Sequence, residues 1–143
     1  MKKLLFLCAL CISTFTYAQS NKEDVDFIQS IYGKEKKTIV AGFVVLEGAQ
    51  KDAFWKLYDE YEVKRKELGR KRITALENYT ANYMTLDDAS TSKIINEIAS
   101  IGVSTDKLMV TYHKKLEKAA GVKAAAQFFQ IESYLLSSIR VAI

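Results

Sequence analysis

The 143-residue chain carries 21 Lys and Arg against 17 Asp and Glu, a formal net charge of +4, and 49% of it is hydrophobic. Such a modest charge argues against a nucleic-acid binder, and the absence of proline and of any Gly/Ser-rich tract argues against a second domain. Two cysteines and one histidine are too few for a zinc site of ordinary ligand spacing.

Residues 1–18 read as a secretory signal peptide. Lys2 and Lys3 make a basic start, Leu4 to Ile12 an apolar run, and Thr16-Tyr17-Ala18 a cleavage site before Gln19. Nine apolar residues are too few for a bilayer, which takes ~20. A retained anchor, or a lipid attached at Cys8 or Cys11, is the competing reading. Neither cysteine follows the small-residue pair that such a site needs. Cleavage removes both cysteines with Lys2 and Lys3, leaving 19 basic residues against 17 acidic and a net of +2. Residues 19–143 are then one domain, held by its apolar core or by a partner and not by disulfides.

Segment one, roughly Lys22 to Val45, places Val25, Ile28, Tyr32, Ile39 and Phe43 on its apolar side. Gly33 and Gly42 weaken it, so two shorter helices are the alternative. Leu46 to Lys51 forms a turn aided by Gly48. Segment two, about Ala49 to Asn82, is the most informative stretch. Phe54, Tyr58, Tyr61, Arg65, Leu68, Arg72, Leu76, Tyr79 and Tyr83 recur at steps of three and four, and therefore share a face. About thirty residues at ~1.5 Å rise make a rod of ~45 Å. A compact globule of this length is only roughly 36 Å across. The rod outruns the ball, which predicts an extended helical hairpin or a helical dimer with a surface used for binding.

In the connection Tyr83 to Ser90, Thr85 reads as a helix cap, and Asp87 and Asp88 suit the positive end of the next helix dipole. Segment three carries Ile94, Ile98, Ile101, Thr105, Leu108, Tyr112 and Leu116 as a packing stripe. Gly121 after Lys118-Ala119-Ala120 is its stop. Segment four, Val122 to Val141, puts Val122, Ala125, Phe129, Leu136 and Ile139 on one side, with Phe128 and Leu135 beside it. No stretch alternates with period two, so the predicted class is all-α, with four helical segments.

The pattern Phe54-Trp55-x-Leu57-Tyr58-x-x-Tyr61-Glu62-x-x-Arg65-x-x-Leu68, then Arg72 and Tyr79-x-x-x-Tyr83, resembles that of small exported bacterial envelope proteins. Tyr112-His113-Lys114-Lys115 and Ala126-Gln127-Phe128-Phe129-Gln130-Ile131-Glu132 fit the same group. In pattern it is similar to the Spy-like "LTxxQ" periplasmic chaperones, whose members are often labelled sensors of extracytoplasmic sigma factors. The resemblance covers about Lys34 to Val141. It implies a four-helix protomer, often a cradle-shaped homodimer, without catalytic activity, holding unfolded clients on a concave basic and apolar surface without ATP. The motifs are degenerate. In Leu46-Glu47-Gly48-Ala49-Gln50 a glutamate replaces threonine, and Lys123 to Gln127 keeps only the glutamine. Loss of a threonine cap typically costs about 1 kcal/mol and predicts a frayed or later helix start at Gly48.

The basic run Lys64, Arg65, Lys66, Arg70, Lys71 and Arg72 has two readings. One is a solvated face with local pairs such as Glu62 with Lys66 and Glu67 with Lys71. The other is a positive patch for acidic or unfolded clients, or for peripheral contact with anionic lipid. Arg65 and Arg72 share the apolar stripe, which predicts pairing with a carboxylate of a neighbouring helix, Glu97, Asp106 or Glu132. Aromatics at helical spacing are more often core than binding surface, yet Trp55 points about 100° away from Phe54. His113 lies among lysines with no partner for catalysis or metal binding. The expected protein is a periplasmic, non-enzymatic, cofactor-free homodimer, with Trp55, Tyr58, Lys64, Arg65, Arg70, Arg72 and Phe128 contacting clients or a partner. A regulatory partner of a membrane stress sensor or anti-sigma system, acting through one helix contact, is the alternative.

Overall fold

The computed structural model describes residues 35–142, with side chains as far as Arg140. The expected signal peptide, residues 1–18, and Val25, Ile28 and Tyr32 lie outside the described residues. The fold is all-α. Helix α1 covers 35–43, α2 Ala49–Asn82, α3 Asp88–Ala120 and α4 Val122–Ala142.

Local sequence sets each boundary. Gly48 precedes α2 with φ 57° and offers no side-chain cap, so the helix starts one residue after the glycine, as the Glu47 substitution predicts. At the far end, the Asn82 carbonyl accepts from the Thr85 and Leu86 amides at 2.8 and 3.0 Å and from the Thr85 hydroxyl at 3.0 Å. Thr85 therefore closes α2. The N-cap of α3 is Asp87, whose carboxylate accepts the Ser90 N–H at 2.7 Å. That corrects the expectation for Thr85, because Asp87 sits at the position from which a side chain reaches the N3 amide. Gly121, at φ 91°, ends α3 by donating its N–H to the Glu117 carbonyl, and α4 starts at once.

α2 and α3 have 34 and 33 residues, so each is ~50 Å long. They run antiparallel, with Tyr61 against Tyr112 and Leu68 beside Leu108. α4 folds back along α3, matching Ser133 to Met109 and Arg140 to Asp106. It lies parallel to α2, where Phe128 meets Phe54, Tyr58 and Tyr61 edge-on at 6.4, 6.4 and 5.2 Å. α1 runs antiparallel to both α2 and α4, through Lys37 to Asp59 and Lys36 to Glu132.

Four helices therefore surround one end, and the core sits there: Val40, Val44, Phe54, Tyr58, Tyr61, Tyr112, Leu116, Ala125 and Phe128. Each fully buried large apolar side chain contributes roughly 1.5–3 kcal/mol. Past the end of α4, α3 has only α2 beside it among the described residues, and towards the turn the buried side chains thin to Ala75, Ile94 and Ile101.

Two helix faces differ from the sequence reading. On α1 and at the residue after it the inward side chains are Lys36, Val40 and Val44, while Ile39 and Phe43 point outward, 48% and 43% exposed. On α4 the buried row is Ala125, Phe128, Glu132 and Leu136; Val122 is exposed and Phe129 only half-buried. Both rows pass through a charged residue, which an apolar count discards.

Candidate functional site

The chemically distinctive part of the molecule is interior. Arg65, Glu62, Tyr58 and Tyr61 lie within two turns of α2, and the faces of α1 and α4 bring Lys36 and Glu132 to them. Lys36 Nζ donates to Glu62 Oε1 at 2.5 Å and to Glu132 Oε2 at 2.7 Å. Arg65 donates through Nε to Glu62 Oε1 at 2.8 Å and through Nη2 to Glu62 Oε2 at 3.0 Å. The Tyr61 hydroxyl donates to Glu132 Oε2 at 2.9 Å. Two cations and two carboxylates so arranged are formally neutral. Lys36 also stands 5.8 and 5.4 Å from the Tyr58 and Tyr61 ring centres.

Burial opposes charge throughout this group. It pushes the Glu132 carboxyl above the ordinary range and the Lys36 ammonium below its own, despite their mutual attraction. Burial also raises the Tyr58 and Tyr61 hydroxyls, reinforced by the two glutamates. At Glu62 burial is outweighed by Lys36 and by the Arg65 fork, which hold its carboxyl below the usual value. Arg65, desolvated but paired to Glu62, is shifted up. Three buried polar atoms, Tyr58 Oη, Tyr112 Oη and Glu132 Oε1, have no hydrogen-bond partner among the described residues.

The expected contact residues divide accordingly. Tyr58, Arg65 and Phe128 are sealed inside and touch no solvent-borne partner in this conformation. Trp55 is half-buried, edge-on to Phe54 and Tyr58 at 5.1 and 5.3 Å, under the Lys37 ammonium at 5.2 Å. It walls a shallow groove with Ala41, Val44, Leu46 and Lys51. Lys64 and Arg70 are exposed and Arg72 half-buried. Lys64 leans over the Tyr112 ring at 5.5 Å, and Lys115 covers the same ring at 4.5 Å. The basic run is thus no single patch, because 100° per residue distributes it around α2.

The expected pairings also shift. Glu67 does pair with Lys71, at 2.9 Å. Glu62 goes to Lys36 and Arg65 instead of Lys66, so Arg65 finds its carboxylate on its own helix, three residues back. Of the three carboxylates expected to meet the arginines, Glu132 is indeed interior but bonds Lys36 and Tyr61, and Asp106 pairs with Arg140 at 3.0 Å. Lys36 was missed altogether, and Glu62 was expected only in a solvated pair with Lys66. The available signal was Lys36 at i, i+4, i+8 spacing with Val40 and Val44.

Among the described residues no group of three or more His, Cys, Asp or Glu could hold a metal ion, and no helix is long and apolar enough to cross a membrane. His113 packs edge-on against Phe129 at 5.5 Å. The large exposed apolar residues lie outside the ionic core: Val63 on α2, Tyr83 and Met84 at the hairpin turn, Ile95, Val103 and Val110 on α3, Val122 and Tyr134 on α4, and Ile39, Phe43 and Val45 in and after α1. No family model, curated protein or solved structure matches this chain.

Proposed function

We propose that the chain is a non-enzymatic protein of the bacterial periplasm that holds unfolded or exposed apolar segments of other proteins without ATP. The observation that carries this reading is the outer half of the α2–α3 hairpin. There two helices, with no third beside them among the described residues, present Tyr83, Met84 and Ile95 to solvent within a rod that also displays Lys64, Arg70 and Lys71. Extended apolar surface flanked by charge suits a flexible client, whereas the interior cations and carboxylates neutralise one another and offer no reaction centre.

Suppression of aggregation of a chemically denatured client, followed by light scattering at stoichiometric ratio without nucleotide, tests the reading. Failure to suppress it at that ratio refutes it. The second reading, one specific helix contact with a membrane-sensor or anti-sigma partner, draws on the outward Ile39 and Phe43 of α1, one turn apart on a single face. A pull-down that returns one partner, undiminished by unfolded competitor, selects it. Self-association as a homodimer belongs to the first reading, and a native mass equal to one chain removes it.

A further inference from the structure

The seat of α1 has the character of a ligand site. Tyr58 of α2 and Phe128 of α4 make its floor, and each of those helices contributes a carboxylate, Glu62 and Glu132. α1 fills it with an ammonium followed by two valines, at Lys36, Val40 and Val44. The apolar fit is complete, since Val40 has no exposed surface, but the polar fit is not. Glu132 is wholly buried, and its Oε1 has no hydrogen-bond partner among the described residues while Oε2 takes both Lys36 and Tyr61. An ammonium is a compact point charge that here spans two carboxylates, one oxygen each. A guanidinium offers a planar fork of donors that matches both oxygens of one carboxylate.

We propose that this seat is the binding trough of the chain, that α1 occupies it in cis, and that a client segment displaces α1. The preferred segment is a helix with an arginine followed by aliphatic residues four and eight positions later. The proposal rests on the holding activity above and adds to the exposed hairpin surface a second place of contact, at the other end of the rod, with the sequence class of what is held there. Tyr58 and Phe128 are then client contacts reached only when α1 leaves. Arg65 acts as a positioning residue, its two bonds to Glu62 keeping that carboxylate turned towards the seat.

Fluorescence anisotropy with the full chain and labelled peptides spanning residues 35–47 of this sequence tests it. The peptides are the natural one, a Lys36→Arg form and a Lys36→Glu form. The arginine peptide is expected to bind at least ten-fold tighter than the glutamate peptide, with the natural one between. Lys36→Glu in the chain itself, which unseats α1, is expected to tighten arginine-peptide binding a further ten-fold, with helicity checked by circular dichroism. Equal affinity for the arginine and glutamate peptides, or no binding to either form of the chain, overturns the proposal. The charge-reversed peptide needs no variant protein, so that arm holds even if the chain variant misfolds. If the chain suppresses aggregation but the arginine peptide does not compete with the client, the trough is refuted while the holding activity stands. If the peptides rank as expected and aggregation proceeds, the trough stands and the holding activity falls.

Discussion

Replacing Arg65 by methionine tests whether the ionic group is one interacting unit. Arg65 is 8% exposed with its guanidinium forked onto Glu62, and the four charges sum to zero. Arg65→Met leaves Lys36 alone against Glu62 and Glu132, a net of −1 in the interior. Removing one partner of a buried pair costs about 3–5 kcal/mol, because the stranded charge keeps its desolvation penalty. At about 4 °C per kcal/mol for a domain of this size, the melting temperature should fall by roughly 12–20 °C. Adding Glu62→Gln restores neutrality, since Lys36 then faces Glu132 alone, 2.7 Å away. The double variant should recover at least half of the loss, a coupling that additive effects cannot produce. Thermal unfolding followed at 222 nm, with urea titrations for the free energies, measures both. A single variant losing less than about 1 kcal/mol, or a double variant no better than the summed singles, would refute this account of the site.

Asp87→Ala removes the carboxylate that accepts the Ser90 N–H at the start of α3 and should cost about 1 kcal/mol in the same titration. Gly121→Ala should cost about 1–2 kcal/mol, although the added methyl meets nothing within 4 Å, because φ 91° lies where L side chains are strained. The Glu62 carboxyl is held below its ordinary 4.5 in the fold, so its stabilisation is present above that pH and is lost as pH falls through the folded value. Glu132, pushed up by burial, has the opposite sign, its contribution being full at low pH and lost as pH rises through its folded value. Glu62→Gln should therefore flatten the acid limb of a stability–pH profile, and Glu132→Gln should steepen it.

Most of the architecture was legible from periodicity. α2 begins and ends where the run between Gly48 and the Thr85 turn places it, and the α3 stripe from Ile94 to Leu116 is buried or half-buried at every step. The site was not legible in the same way, because apolar periodicity counts charged residues as surface. Glu62, Glu132 and Lys36 are inward for the opposite reason to a leucine: each is tolerated only because the others are there. That mutual condition spans 26 and 96 residues of chain, which no local window contains. α1 failed for a related reason. Ile39 with Phe43 and Val40 with Val44 are adjacent rows on one helix, equally apolar, and the Lys36 ammonium meeting two carboxylates fixes which row turns inward.

A single periodicity along α2 produces burial at one end and exposure at the other, and the number of neighbouring helices decides which. Phe54, Tyr58 and Tyr61 are fully enclosed, with α1, α3 and α4 all within reach. Tyr79 and Tyr83 continue the same stripe into a section where, among the described residues, α3 is the one neighbouring helix, too little to cover a side chain with 150–250 Å² to bury. There the two rings pack on each other at 5.6 Å, and Tyr83 stays exposed beside Met84. What that section does enclose is Ala75 together with Ile94 and Ile101 of α3. Among the described residues, a stripe that continues past the helices covering it leaves apolar surface on the outer part of the hairpin, and the proposed holding activity would draw on that surface more than on the basic run.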